Sequence, residues 1–398
     1  MNPETSKKLP LEGIRVVEMS HMVMGPTCGM ILADLGAEVI KVEPLSGDKT
    51  RELLGAGAGF FRTFNRNKKS ISVDIKNKQA VDAVLKLADS ADVFVENFKP
   101  GRMASLGFDY ENLKARNPGL IYVSHKGFLQ GPYDKRLALD EVVQMMAGLA
   151  YMTGPVGRPL RAGTSVNDIM GGMFGALGVL AALFQRNSTG EGKEIQSALF
   201  ENCVLLCAQH MQQFAVTGVA ANPMPERISA WGIYDTFETK GGRLMFIAAT
   251  GDAPWKELCD ILQRDDLYQD TRLKTNNDRV IARPWLIPDL GNTIRQWDAE
   301  TLAPAFEARQ IPFAYITKPE ELFDDPHLQQ SGGLGRQVLE DGSDTPMPLL
   351  PISIDGERLQ PRHPIARIGE HTESILRGLG YDASEIARLA AAGVLKLA

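Results

Sequence analysis

The sequence predicts an α/β protein: a mostly parallel sheet covered by helices, followed by a smaller α+β domain. Three observations lead there. In the first third of the 398 residues, short β-branched runs alternate with segments of helical period, the pattern of strands joined by helical crossovers. After "ANPMPERIS" (221–229), a polar break with two prolines, the pattern changes to a hairpin and new helices. From about residue 330 the chain is rich in Gly and Pro and ends in a helical stretch after "RIGEHTESILRGLG".

Taken in order, "IRVVEMS" (14–20) is the first strand, and "GMILADLGA" (29–37) is a helix stopped by glycine. "EVIKVE" (38–43), "KSISVDI" (69–75), "DVFVEN" (92–97) and "LIYVSHK" (120–126) are strands two to five. Between the third and fourth, Val81, Val84, Leu85 and Ala88 share one helical face, and Asn77 is placed to cap it. Long helices are predicted at about 139–152, 168–186 and 195–217. Later, "IYDTFETKGGRLMFIAAT" (233–250) reads as a hairpin around a Gly-Gly turn. Helices near 252–263 and 275–308 and a strand at "PFAYIT" (312–317) complete the smaller domain.

Composition narrows the function. A formal net charge of −6 gives no general attraction to nucleic acid or to an anionic membrane. No apolar run of about 18 residues lacks polar breaks, so no membrane span is expected. "MNPETSKKLPLEG" lacks the apolar core of a signal peptide. Cys28, Cys203, Cys207 and Cys259 make no disulfide framework, and Cys203 and Cys207 at i,i+4 lack the histidines of a zinc site. A cytoplasmic enzyme without a metal is the expectation.

Two stretches tempt toward a dinucleotide and fail. "LLGAGAGFF" (53–61) does not lead into a helix, and the turn after the first strand carries only Gly25 and Gly29. His21 and His125 close the first and fifth strands, where open sheets bind ligands. Each is a candidate base or a structural histidine. Lys68 and Lys69 in "NRNKKS" (65–70) are candidate phosphate ligands or part of a solvated turn.

Asp168, in "GTSVNDIMGGMFGALGVLAAL" (163–183), is the sharper case. It is either the N-cap of the following helix or a carboxylate nucleophile whose oxyanion meets the free N–H groups there. Gly171, Gly175 and Gly178 form one stripe. Each costs a helix about 1 kcal/mol relative to alanine, so the stripe predicts a close neighbour, a helix or a bulky ligand.

These stretches together resemble the class III CoA-transferase (CaiB/BaiF) family. The likeness runs through "PLEGIRVVEMSHMVMGPTCGMILADLGAEVIKVEP", "SGDKTR", "NRNKKSISVDIK", "DVFVENFKPGRMASLGFDYENLKARNPGLIYVS", the Asp168 segment and "TGEGKEIQSALFE". It continues in "DTRLKTNNDRV" and "IARIGEHTESIL", and so covers nearly the whole chain. It implies a Rossmann-like large domain, residues 1–220 with a returning 330–398, around a small domain at 221–329, in a homodimer of interlocked rings. It makes Asp168 the nucleophile. Asp168 would attack an acyl-CoA donor, CoA would return to form an aspartyl-CoA thioester, and a small carboxylic acid acceptor would take it. Coenzyme A would lie near His21, Met22, Val23, Met24, Lys68, Lys69, Asn97, Phe98, Arg102 and Lys126, with Leu139 and Asp140 beside the nucleophile.

The chain departs from the family's formyl-CoA:oxalate enzymes. Val23 stands in place of a glutamine, Pro44 and Ser105 in place of arginines, and Asp140 in place of a glutamate. "PERISAWGIYDTF" (225–237) replaces a glycine-rich flap. Oxalate is therefore not the expected acceptor. A short dicarboxylate is, with Lys126, Arg158 and Arg161 available for its second carboxylate and succinyl-CoA as a donor. The alternatives are a 2-methylacyl-CoA racemase, CoA transfer within one C5 diacid, and a non-catalytic CoA-binding protein. Racemases carry His-Asp where this chain has Leu139-Asp140, and they need an imidazole base. His125 is the remaining candidate.

Overall fold

The structure, a computed structural model, describes residues 8–227 and 229–398. It divides into two compact units, one running to Pro223 and resuming at Pro326–Ala398, the other Met224–Asp325.

In the larger unit, β1 (Arg15–Met19), β2 (Glu38–Glu43), β3 (Lys68–Val73), β4 (Val93–Glu96), β5 (Ile121–Lys126) and β6 (Glu194–Ala198) are parallel. Their spatial order is 3-2-1-4-5-6, and the C-terminal strand Leu395–Lys396 closes the β3 edge antiparallel. Parallel strands bury both faces, so apolar residues dominate them and the polar ones inside need partners. Val17, Ile40, Phe94 and Tyr122 pack under the helix Lys78–Asp89 and the C-terminal helices Thr372–Gly378 and Ala383–Ala391. Val16, Val39, Val95 and Val123 face the helix Met24–Asp34 and the long helix Val166–Thr189.

The Asn77 side chain caps its helix, accepting the Gln79 N–H at 2.9 Å. The helix expected at 29–37 begins earlier, at Met24, and two others of this unit differ in more than their ends. The predicted helix at 139–152 is broken by Gly148, whose φ of +88° suits only a residue without Cβ. It becomes Asp140–Met146 and Leu149–Thr153. The segment expected to begin at 195 starts as β6, because residues 194–198 complete the hydrogen bonding of β5, and the helix Leu199–Thr217 follows.

The smaller unit holds the antiparallel sheet β7 (Ile233–Glu238), β8 (Leu244–Ala249) and β9 (Phe313–Tyr315). Gly241 and Gly242, at φ +87° and +86°, make the turn of the predicted hairpin. The helix expected over 275–308 is two, Asn276–Ile294 and Ala299–Ala308, parted at residues 295–298, and with Asp252–Leu262 they enclose a core of Trp255, Leu286 and Phe306.

Candidate active site

The strand order reverses between β1 and β4, and the crevice beyond their carboxyl ends is where an open parallel sheet binds ligands. Asn97 bridges that crevice. Its Oδ1 accepts the His21 N–H at 3.0 Å and its Nδ2 donates to the His21 carbonyl at 2.7 Å. The His21 ring meets Phe98 edge-on at 5.5 Å. Met22 takes a φ of +63°, a left-handed conformation unusual for a side chain of its size. That turn delivers the chain into the helix Met24–Asp34, whose start has no side-chain cap.

Buried charges hold this turn from below. Lys41 Nζ donates to the Ser20 carbonyl at 2.8 Å and lies 3.2 Å from Glu18 Oε1 and 3.0 Å from Asp48 Oδ2. Burial would push the Lys41 ammonium down, but Glu18, Asp48 and Glu43 outweigh it and keep it above the ordinary lysine range. Lys68 Nζ lies 2.7 Å from Glu18 Oε2 and donates to the Pro26 carbonyl at 2.8 Å.

Asp168 stands in the first turn of Val166–Thr189, where Ser165 occupies the cap position without a side-chain bond. It is not the N-cap. That role falls to Asp140 from another helix, whose Oδ1 accepts the N–H of Asn167 at 2.8 Å and of Asp168 at 3.1 Å. The Asp168 side chain is thus left unspent on its own helix. Burial, then the nearby charges of Asp140 and Glu141, push its carboxyl up to about 7.

The glycine stripe meets protein. A Cβ on Gly171 would lie 3.1 Å from Met24 Cγ and one on Gly178 2.7 Å from Ile195 Cγ2, while one on Gly172, beside the stripe, would lie 2.6 Å from the Met24 carbonyl. Gly175 abuts the His125 ring. The glycines therefore let the helix press onto Met24–Asp34 and the sheet, and this fixes Asp168 next to the β1 turn. The same helix is long and apolar enough to cross a membrane, but its glycine face is buried in the core. Among the described residues, no three His, Cys, Asp or Glu side chains converge as metal ligands.

The model of CoA-transferase family III matches residues 11–372. The chain belongs to that family. It is 33% identical to the succinate–glutarate CoA-transferase of Agrobacterium fabrum, over 95% of this chain and 98% of the relative. It is 32% identical to the succinyl-CoA:mesaconate CoA-transferase of Haloarcula marismortui, over 94% and 97%. A crystal structure of a CAIB/BAIF family protein from Brucella suis superposes with a TM-score of 0.85 at 32% identity, covering 94% of this chain and all of that one. The protein is a class III CoA-transferase, and its substrates are CoA thioesters and carboxylic acids.

In this CoA-transferase, His21, Met22, Asn97 and Phe98 gather at the crevice, with Val23 and Met24 buried beneath it. Lys126 ends β5, and Arg102 is exposed just after β4, with no ion pair among the described residues. Asp140 joins Asp168 directly. Leu139, at the start of the Asp140 helix, is exposed and apolar. Lys69 is not brought to the crevice, and Lys68 reaches beneath its turn with its ammonium already spent on Glu18 and the Pro26 carbonyl. Both residues begin β3, whose amino end lies away from the crevice, and Lys69 is bound there to Glu38. Of the cations expected for a second carboxylate, Arg161 already pairs with Glu141 at 2.7 Å.

The racemase alternative finds no imidazole beside Asp140. Leu139 has none, and His125 is buried against Gly175, pushed down to about 4 by burial, with neither ring nitrogen hydrogen-bonded. Sequence reasoning missed Glu18, Lys41 and Gln144. The signal for the first two was a charged residue inside each of two β-branched runs, on strands that place Glu18 opposite Lys41. For Gln144 it was the i,i+4 spacing from Asp140.

Proposed function

We propose that this enzyme transfers CoA from succinyl-CoA to a short dicarboxylic acid through covalent intermediates on Asp168, as a homodimer. The observation that carries the mechanism is a half-buried carboxylate in the first turn of a helix packed against the ligand-binding turn, its backbone held by another side chain. Ionised Asp168 attacks the thioester carbonyl, the C–S bond breaks, and CoA leaves as thiolate from a mixed anhydride. The thiolate then attacks the aspartyl carbonyl and expels the donor acid. The acceptor carboxylate attacks the resulting aspartyl-CoA thioester, and the thiolate attacks the new anhydride at the acceptor's carbonyl, releasing Asp168. Each step exchanges one activated acyl bond for another, so the protein's task is to orient the groups and exclude water.

The dicarboxylate reading is supported by relatives named for glutarate and mesaconate that match over almost their full length. Lys126 at the end of β5 and exposed Arg158 offer a charge for the second carboxylate. Support for a second copy comes from an apolar stripe left open on one face of the Asp168 helix, Met173, Leu177, Leu180 and Phe184. Contiguous exposed apolar surface of this kind marks an interface.

The test is Asp168→Asn with succinyl-CoA and a panel of dicarboxylic acids, read by mass spectrometry. Exchange should vanish while the fold persists, and wild-type protein trapped during turnover should carry its label on Asp168. Undiminished exchange by the variant removes the mechanism. Wash-in of deuterium at the α-carbon without any acceptor acid would favour a racemase.

A further inference from the structure

We infer that Gln144 is a positioning residue for the nucleophile, coupling the loop that leads to Asp168 with the carboxylate that holds the Asp168 backbone. The inference rests on the reading of Asp168 as the covalent nucleophile.

Gln144 is fully buried on the helix Asp140–Met146. Its Oε1 accepts the Ala162 N–H at 2.7 Å, and its Nε2 donates to Asp140 Oδ2. Asp140 Oδ1 accepts the N–H groups of Asn167 and Asp168. A continuous hydrogen-bonded path therefore runs from Ala162 through Gln144 and Asp140 to Asp168, and the intervening peptide closes it into a ring. A second tie between the same loop and helix, Arg161 to Glu141, is exposed. The buried path sets the register.

A carboxamide suits this place because it offers one acceptor and a donor at once without charge. Asp140 needs the donor, because a buried carboxylate oxygen left without a hydrogen bond is costly. The charged groups acting on Asp168 are Asp140 and Glu141, both on the Gln144 helix, with Glu141 paired to Arg161. From Leu199–Thr217, the Cys203 thiol faces Asn167 and Asp140, and from β5 the His125 ring lies against Gly175. Neither supplies Asp140 with a replacement hydrogen bond, so loss of the Gln144 donor is felt at Asp168.

Two variants test this, with succinyl-CoA as donor and glutarate as acceptor. Gln144→Met keeps length and flexibility but removes both polar contacts. Its kcat should fall about tenfold, since small misplacements of a reacting group are costly. The acidic limb of its kcat/KM profile should move, because the Asp140 carboxylate that acts on Asp168 loses its fixed place. Gln144→Glu still accepts from Ala162 but donates to Asp140 only while it carries a proton. Its kcat should approach the wild-type value at about pH 6 and fall roughly tenfold below it at about pH 8. A purely structural role would lower the melting temperature with the limb unmoved and leave the Gln144→Glu ratio to wild type equal at both pH values; either result overturns the positioning role. If Gln144→Met does not fold, the pH dependence of that ratio decides alone. Turnover by Asp168→Asn would overturn the nucleophile itself, a separate outcome from these.

Discussion

Replacing Gly172 by alanine should part the helix that carries Asp168 from the helix that begins at Met24. The new Cβ would stand 2.6 Å from the Met24 carbonyl oxygen and 2.5 Å from Thr27 Cβ, where ordinary contact begins at 3.4 Å. The carbonyl belongs to a helix backbone and cannot rotate away, so the two helices must separate by most of an ångström. Overpacking of this kind costs about 1–3 kcal/mol, at its upper end where backbone is the obstacle. Alanine returns about 1 kcal/mol of helix propensity. The net loss is about 2 kcal/mol, a fall of roughly 4 °C in melting temperature for a domain of this size. Gly178→Ala makes the comparison, because the three nearest atoms its Cβ would meet all belong to the Ile195 side chain and not to a backbone. Gly378→Ala, with nothing within 4 Å, should gain up to about 1 kcal/mol. Thermal melts of the three variants beside wild type should rank 378, 178, 172 from most to least stable. Turnover by the Gly172 variant should drop as much as a hundredfold, because the nucleophile moves with its helix. A Gly172→Ala protein that melts with the wild type would refute the packing argument.

The remaining predictions concern charge. Asp168 binds its proton more tightly in the folded protein, with its carboxyl raised from 3.8 to about 7. The group therefore costs stability as pH rises between those values. Asp168→Asn escapes this cost and should melt above wild type at about pH 8 and level with it near pH 4. In the wild type, single-turnover CoA transfer should slow as pH falls below about 7, where the nucleophile is protonated. Lys41→Met strips Asp48 of its ammonium partner and leaves Glu18 with Lys68 alone. It should cost about 3–5 kcal/mol in denaturant unfolding, since one partner of a buried charge cluster is removed. Adding Glu18→Gln should recover part of that loss, and purely additive effects would show that the two residues do not interact.

The strands of the sheet were legible because each is a short run built on β-branched and aromatic residues, with turn residues or glycine stops nearby. The first five were found within a residue or two. The sixth was read as helix because "EIQSA" is mostly polar, and only pairing with β5 makes it a strand. The glycine stripe was legible as a demand for closeness, and Asp168 as a carboxylate at the start of a helix. What the stripe approaches and who caps that helix were not, because both answers lie on segments far away in the chain: Met24 and Thr27 on one side, Asp140 on the other. Lys68 shows the same limit from the opposite direction. In sequence it is one of two adjacent lysines in a polar turn, yet in the fold its ammonium is buried on Glu18.

By itself the sequence determined the periodicities, the caps and turns, and which residue types stand where chemistry is possible. Those depend on contacts within a few residues. The tertiary structure decided which charges are spent in the interior and which face the crevice, and it raised the Asp168 carboxyl by burying it beside Asp140. Burial and the distance between two carboxylates belong to the packed arrangement of several helices, and no local stretch of chain carries them.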